Sequence, residues 1–170
     1  PPALTQSPYY LRDVPRRADL REGLRGVPLR RLLRVRDRAC RPLQGARVDL
    51  WHTDALGRYS GVNAPGTFCR GWQATDERGE VAFLTLFPGW YPSRTPHLHL
   101  RVEAGGRVFA TQLFFPEEVQ RQVYALPPYR ERGMPRVNNR QDGLFRADLL
   151  LRLEREGEAY RGAFVLTLPG

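Results

Sequence analysis

The sequence predicts an all-β protein, an antiparallel β-sandwich with an extended N-terminal arm and one short helix. Three observations carry that expectation. Apolar and polar residues alternate with period two in several short runs. A turn pattern, Thr-Asp-x-x-Gly, occurs twice beside such runs. A single stretch has the composition and spacing of a helix.

The elements follow in order. Pro1 to about Gly26 is rich in Pro, Arg and Asp and keeps no sustained period. Residues 1–26 are therefore expected to form an arm, with Pro8-Tyr9-Tyr10 as its anchor on the body, and residues 27–170 the sandwich domain. A chain of 170 residues is long enough for one domain with a real core. Alternation starts at Val27-Pro28-Leu29 and runs through Leu33-Arg34-Val35-Arg36, which reads as a strand. Cys40 to Gly45 reads as a turn, and Ala46 to His52 as a second strand ending at Thr53-Asp54-Ala55-Leu56-Gly57.

That ending recurs at Thr75-Asp76-Glu77-Arg78-Gly79, between Trp72-Gln73-Ala74 and Val81 to Leu86. Asp can bond backbone two residues on and Gly supplies the positive φ, so both turns are expected to close hairpins. His97 to Val102, Val108 to Phe115 and Gly162 to Leu168 are the remaining strand candidates. The helix begins at Pro116, carries Glu117 and Glu118 in its first turn, sets Val119 and Val123 on one side and ends before Pro127-Pro128.

The net charge of +9 suggests nucleic acid, but its distribution argues against it. All 27 basic residues are Arg, and Ile is missing as well as Lys. A GC-rich coding bias explains both absences without any appeal to function. The arginines are scattered, with no basic stripe interleaved with aromatics, so no nucleic-acid partner is expected. A positive surface does attract small anions, aromatic acids among them. No apolar run approaches the length needed to cross a membrane. The chain opens on Pro1, which keeps an exported origin open and favours a secreted or periplasmic location slightly over a cytoplasmic one. Cys40 and Cys69 sit in no C-x-x-C pair; a bridge between them and two free thiols are weighed equally.

The chemistry gathers in Phe87-Pro88-Gly89-Trp90-Tyr91-Pro92-Ser93-Arg94-Thr95-Pro96-His97-Leu98-His99. Alternate residues of a strand share a face, so His97 and His99 point the same way and Leu98, Leu100 and Val102 face the core. Two imidazoles so placed can grip one metal ion, although an isolated H-x-H is more often a pair of packing or surface histidines. No acidic residue lies from Phe87 to Arg101, which argues against a locally built 2-His-1-carboxylate site. Tyr91 stands instead on a loop bounded by Pro and Gly, and phenolate oxygen is a hard anionic donor that suits Fe(III). Arg94 places a fixed positive charge close by. The third histidine, His52, shares a strand face with Val48 and Leu50 and reads as a satisfied structural residue. Trp51, Trp72 and Trp90 read as core or pocket wall.

These residues resemble the intradiol ring-cleavage dioxygenases, the family of the catechol and protocatechuate dioxygenases. The resemblance runs from Ser7-Pro8-Tyr9-Tyr10 to about Phe115. It is strongest in Val48 to Gly61, Thr75-Asp76 to Tyr91, and Arg94-Thr95-Pro96-His97-Leu98-His99. It implies a non-haem Fe(III) held by Tyr59, Tyr91, His97 and His99, with Arg94 and Gln112 as the active-site arginine and glutamine. The implied reaction inserts both atoms of O2 into a small aromatic diol between its hydroxyls and yields a cis,cis-muconate-type diacid. Tyr91 would then double as a base toward the substrate, while Arg94 and Gln112 stabilise the developing charge. The short spacing from Tyr91 to His99 is similar to that of compact, often secreted members without a helical dimerisation arm; a homo-oligomer is left open. Two positions depart from the family pattern. Gln6-Ser7 stand where Glu-Gly is common, and Thr53 stands where secreted members often carry Cys.

Taken singly, Tyr59 could be a cross-strand packing residue, Arg94 a solvated charge and Gln112 a strand residue bonded to backbone. Two other classes stay beside the enzyme. One is a non-catalytic, transthyretin-like β-sandwich binding module with a vestigial metal site. The other is a zinc or copper protein that uses the H-x-H pair.

Overall fold

The computed structural model describes residues 9–170. Gln6 and Ser7, where the arm departs from the family pattern, and Pro8 of its anchor lie outside the described residues. The described strands are β1 (Pro28–Arg36), β2 (Arg47–Trp51), β3 (Arg70–Ala74), β4 (Glu80–Leu86), β5 (His97–Ala104), β6 (Arg107–Phe114), β7 (Glu154–Glu156) and β8 (Ala159–Thr167). The helix α1 spans Glu117–Tyr124, with Pro116 at its N-terminal boundary. Two four-stranded sheets result, ordered β3-β2-β5-β6 and β4-β1-β8-β7. We call them the first and the second sheet. The protein is an all-β sandwich, as the alternation predicts. Among the described residues no helix is long and apolar enough to cross a membrane.

Two details differ from expectation. All ladders between the strands are antiparallel except that of β1 with β8, which run parallel. β7 and β8 form the hairpin at the sheet edge, and β8 then lies beside β1 in the same direction. Neither Thr-Asp-x-x-Gly turn closes a hairpin. In the second, Asp76 Oδ1 accepts from the backbone of Arg78 and Glu80, both at 2.9 Å, and Gly79 has φ +73°. The strands on either side nevertheless enter opposite sheets, because β3 pairs with β2 and β4 with β1. The turn is a crossing between layers. In the first, Asp54 Oδ1 accepts from Leu56 and Arg58, and the next strand begins only at Arg70. That turn opens the loop carrying Tyr59.

The core lies between the sheets. The inner row of β1 (Leu29, Leu33, Val35) meets that of β5 (Leu98, Leu100, Val102) within one cluster. Burial of such side chains contributes on the order of 1.5–3 kcal/mol each. Arg31 shares the inner row of β1; its buried guanidinium has no hydrogen-bond partner among the described residues, and burial lowers its pKa to about 10. Residues 16–20 run along one edge strand of each sheet. Arg16 bridges to Trp72 on β3, Asp19 to Leu84 on β4, and Leu20 is fully buried in the core. Cys40 is exposed and Cys69 buried, both as free thiols.

Candidate active site

The site stands on the outer face of the first sheet. Since Leu98 and Leu100 face the core, the period of the strand sends His97 and His99 outward. His99 pairs across β2 with Trp51 and across β6 with Gln112, so these three form one row. Trp51 stacks on His99 with ring centroids 5.1 Å apart and planes inclined by 7°. An outer face is ordinarily solvated, yet His97 and His99 are buried. Two loops cover them.

The first loop, residues 52–69, carries Tyr59. Asn63 Oδ1 accepts from the Tyr59 backbone N–H at 2.8 Å, and Ser60 Oγ donates to Phe68 O at 2.7 Å. Buried Arg70 donates to Ser60 O at 3.0 Å and lies 6.0 Å from the Tyr59 ring centroid. The second loop, residues 87–96, carries Tyr91 and tightens where Arg94 N–H donates to Tyr91 O at 3.2 Å. The two loops lock backbone to backbone. Gly89 N–H donates to Asp54 O at 2.8 Å, and Thr53 Oγ1 to Gly89 O at 2.6 Å. A Cβ on Gly89 would overlap Ala55 O, and one on Gly57, at φ +77°, would overlap Trp90 O. The glycines therefore set how closely the two tyrosine loops approach. Beneath them, Tyr124 of α1 donates to Pro88 O and Tyr129 to Phe87 O.

This brings the four predicted donor residues to one point. Tyr59 Oη lies 2.8 Å from His99 Nε2, 3.4 Å from His97 Nε2 and 3.2 Å from Tyr91 Oη. Tyr91 Oη is 3.2 Å from His97 Nε2, and the two Nε2 atoms are 3.0 Å apart. His97 Nδ1 lies 2.7 Å from Thr95 O, which assigns its proton to Nδ1 and turns the Nε2 lone pair inward. Burial, reinforced by Arg94, lowers the His97 pKa to about 3. Burial, and then the neighbouring His97, holds that of His99 well below the ordinary value. Both imidazoles are neutral. Burial also raises both phenols, Tyr59 furthest; Arg94 and Arg70 oppose this for Tyr59.

Two neutral imidazoles and two phenols whose protons a cation can displace form a hard N,O donor set. Such a set fits a trivalent ion of the ferric kind. Among the described residues, no three His, Cys, Asp or Glu side chains gather into a competing site.

Arg94 and Gln112 meet beside this centre, with Arg94 Nη2 donating to Gln112 Oε1 at 2.6 Å. The sequence reading missed Asp142, whose Oδ2 accepts from Arg94 Nε at 2.8 Å. Burial pushes the Asp142 carboxyl up, but the bonds donated by Arg94 and by backbone outweigh it, leaving the carboxyl below its ordinary value. Tyr9 and Tyr10 stand at the margin, 4.8 Å from the Tyr59 ring and 5.1 Å from that of Trp51. His52 is separate. Its Nδ1 lies 2.7 Å from Thr53 O and its Nε2 2.6 Å from Thr85 Oγ1, the satisfied structural role expected of it. Trp90 is buried and donates to Gly133 O, whereas Trp72 is a half-buried ring between Arg16 and Arg47.

Comparison with known proteins places this chain in a family. The dioxygenase family model matches residues 6–122, more than half of the chain. The fold is similar to that of the intradiol ring-cleavage dioxygenase from Tetranychus urticae, at 32% identity and a TM-score of 0.92, over 98% of this chain and 92% of that one. It is also similar to the dioxygenase domain of a dioxygenase–carbohydrate-binding fusion from Streptomyces sp. SirexAA-E. There the identity is 35% and the TM-score 0.80, over 99% and 97% of the two chains. In sequence it is 29% identical over 136 residues to the chlorocatechol 1,2-dioxygenase of Pseudomonas sp. strain P51, covering 65% of this chain and 53% of that one. The chain spans about half the length of the curated relatives it matches. It belongs to the intradiol ring-cleavage dioxygenase family.

Proposed function

We propose that this family member cleaves a catechol-type ring between its two hydroxyls with both atoms of O2, at a non-haem Fe(III) held by Tyr59, Tyr91, His97 and His99, and releases a cis,cis-muconate-type diacid. The observation that supports this most is the chain of five contacts, none longer than 3.4 Å, that joins two phenol oxygens and two imidazole Nε2 atoms. Ferric iron held there would supply Lewis acidity toward a catechol-type diol and make its ring reactive toward O2.

The chain's own residues do the rest. The Thr95 carbonyl fixes the His97 ring and its tautomer. Tyr59, buried and backed by Arg70, is the permanent phenolate. Tyr91 is only half-buried and sits on a loop, so its Oη is the base that takes a proton from a substrate hydroxyl. Arg94 and Gln112, joined at 2.6 Å, stabilise negative charge developing on the ring and the incoming oxygen. Trp51, with Tyr9 and Tyr10, supplies apolar walls for a flat ring.

The test is an absorption spectrum of concentrated protein, repeated with catechol in the absence of oxygen. A broad visible band from tyrosinate-to-iron charge transfer is expected, moving to longer wavelength with catechol, and Tyr59→Phe should lose both band and iron. Full iron content in Tyr59→Phe sinks the ligand assignment. A protein that stays colourless after iron loading is a β-sandwich binding module instead.

A further inference from the structure

We infer that Asp142 is a positioning residue for Arg94, and that Asn138 to Asp142 form a bracket setting the Arg94–Gln112 pair against the four donor atoms. The inference rests on the ring-cleavage reading above.

The Asp142 side chain is wholly buried, and its contacts are specific. Oδ2 accepts from Arg94 Nε at 2.8 Å and from the Thr95 backbone N–H at 2.9 Å, while Oδ1 accepts from Leu144 N–H at 2.9 Å. One carboxylate thus holds both the side chain of Arg94 and the backbone beside it. The guanidinium is then pinned at two corners, Nε by Asp142 and Nη2 by Gln112. Nη1 is engaged in neither contact.

The rest of the bracket fixes where that fork stands. Asn139 Oδ1 accepts from Thr95 Oγ1 at 2.6 Å, and Asn139 Nδ2 donates to Phe115 O at 2.8 Å. Asn139 therefore ties the Arg94–Thr95 loop to the end of the strand that carries Gln112. The bracket has its own frame: Asn138 and Gln141 exchange reciprocal side-chain-to-backbone bonds at 2.9 Å, and Glu117 of α1 accepts from the Asn139 N–H. A free arginine side chain has many rotamers, and charge stabilisation needs a donor already in place when charge develops. A buried ion pair is weak support for stability by itself but a strong constraint on direction.

The experiment uses the iron-loaded full chain. In Asp142→Asn, kcat is expected to fall about 10- to 100-fold, in the range of lost outer-shell support, while KM, iron content and the visible band hold. Arg94→Ala lowers kcat too, and adding Asp142→Asn to it should cost nothing more, because Asp142 acts through Arg94. The inference is overturned by an Asp142→Asn enzyme with wild-type kcat, or by an equal loss in the Arg94→Ala background. Should Asp142→Asn fail to fold, Asp142→Glu keeps the charge and shifts the carboxylate by one methylene. A lowered kcat with the band intact then supports positioning; wild-type kcat, or loss of the fold here as well, overturns it. A wild-type chain without the iron band fails at the ring-cleavage reading, before Asp142 is reached.

Discussion

The two sheets of this sandwich are alike on their inner faces and opposite on their outer ones. On the second sheet, β1 alternates in strict step: Leu29, Leu33 and Val35 are buried, while Arg30, Leu32 and Arg34 face water. On the first sheet, β5 is buried on both faces from His97 to Leu100. Open space does not account for the difference. A cleft of about 780 Å3 lies on the second sheet, lined by Arg30, Leu32, Ala82, Arg161 and Ala163 among others, and it holds neither histidine nor tyrosine. The site arises where the loops 52–69 and 87–96 fold over the sheet. Their cover removes water from polar side chains that already share a strand face. A strand supplies direction; a lid of loops converts direction into chemistry.

If the inner faces are equivalent, equal truncations should cost the same on both. Leu33 on β1 and Leu100 on β5 are each almost wholly buried in the one core. Leu33→Ala and Leu100→Ala should each destabilise the metal-free protein by about 2–5 kcal/mol in urea titration. Only Leu100→Ala should also disturb the visible band of the iron-loaded protein, since its strand neighbour His99 stands on the covered face. A band moved equally by both variants would break the comparison.

A second prediction concerns the polar bridge between the layers. His52 follows β2 and reaches Thr85 of β4, fully buried. Burial lowers its pKa to about 4 from an ordinary 6.5. The unfolded chain therefore takes up a proton between those values that the folded protein refuses. This residue's contribution to stability is complete above about pH 6.5 and is lost as the pH falls toward 4, by up to about 3 kcal/mol. His52→Gln should flatten that part of the stability curve relative to wild type, whatever its baseline. Parallel curves would assign the acid sensitivity to other groups.

What could be read in advance follows from range. The alternation of β1 and the H-x-H pair of β5 are local, and both are where the period puts them. Tyr91 and Arg94 stand close to that pair in sequence and could be picked out beside it, whereas Tyr59 and Gln112 are distant, and only the match to a family pattern singled them out. The turn at Asp76 was legible as a turn, because the Asp side chain and Gly79 make it locally. Its crossing between sheets was not, because the partners of β3 and β4 are chosen by distant strands. Asp142 had no signature either. It stands 48 positions from Arg94, and nothing in Asn138-Asn139-Arg140-Gln141-Asp142 marks one carboxylate for burial. The parallel pairing of β1 with β8 joins residues far apart in the chain and leaves no trace in either strand.

The smallest predicted effect tests the uncovered face. Arg34 on β1 meets Glu80 on β4 at 3.3 Å, with the arginine side chain 52% exposed. An exposed pair of this kind gains little, because water screens the attraction and two long side chains lose freedom to hold it. Arg34→Ala should therefore shift stability by no more than about 0.5 kcal/mol. It should leave the iron band and the ring-cleavage rate at wild-type values, since Arg34 stands in the exposed outer row of β1. The loop that covers the first sheet offers the contrast. There Arg94 is also an arginine paired to a carboxylate, but its partner is fully buried and its guanidinium donates to Gln112, the cross-strand neighbour of His99. One ion pair is expected to be dispensable and the other not, because loops exclude water from the second. A sizeable loss of activity in Arg34→Ala would mean that the second sheet's outer face takes part in function after all, and that loop cover is not what separates the two faces.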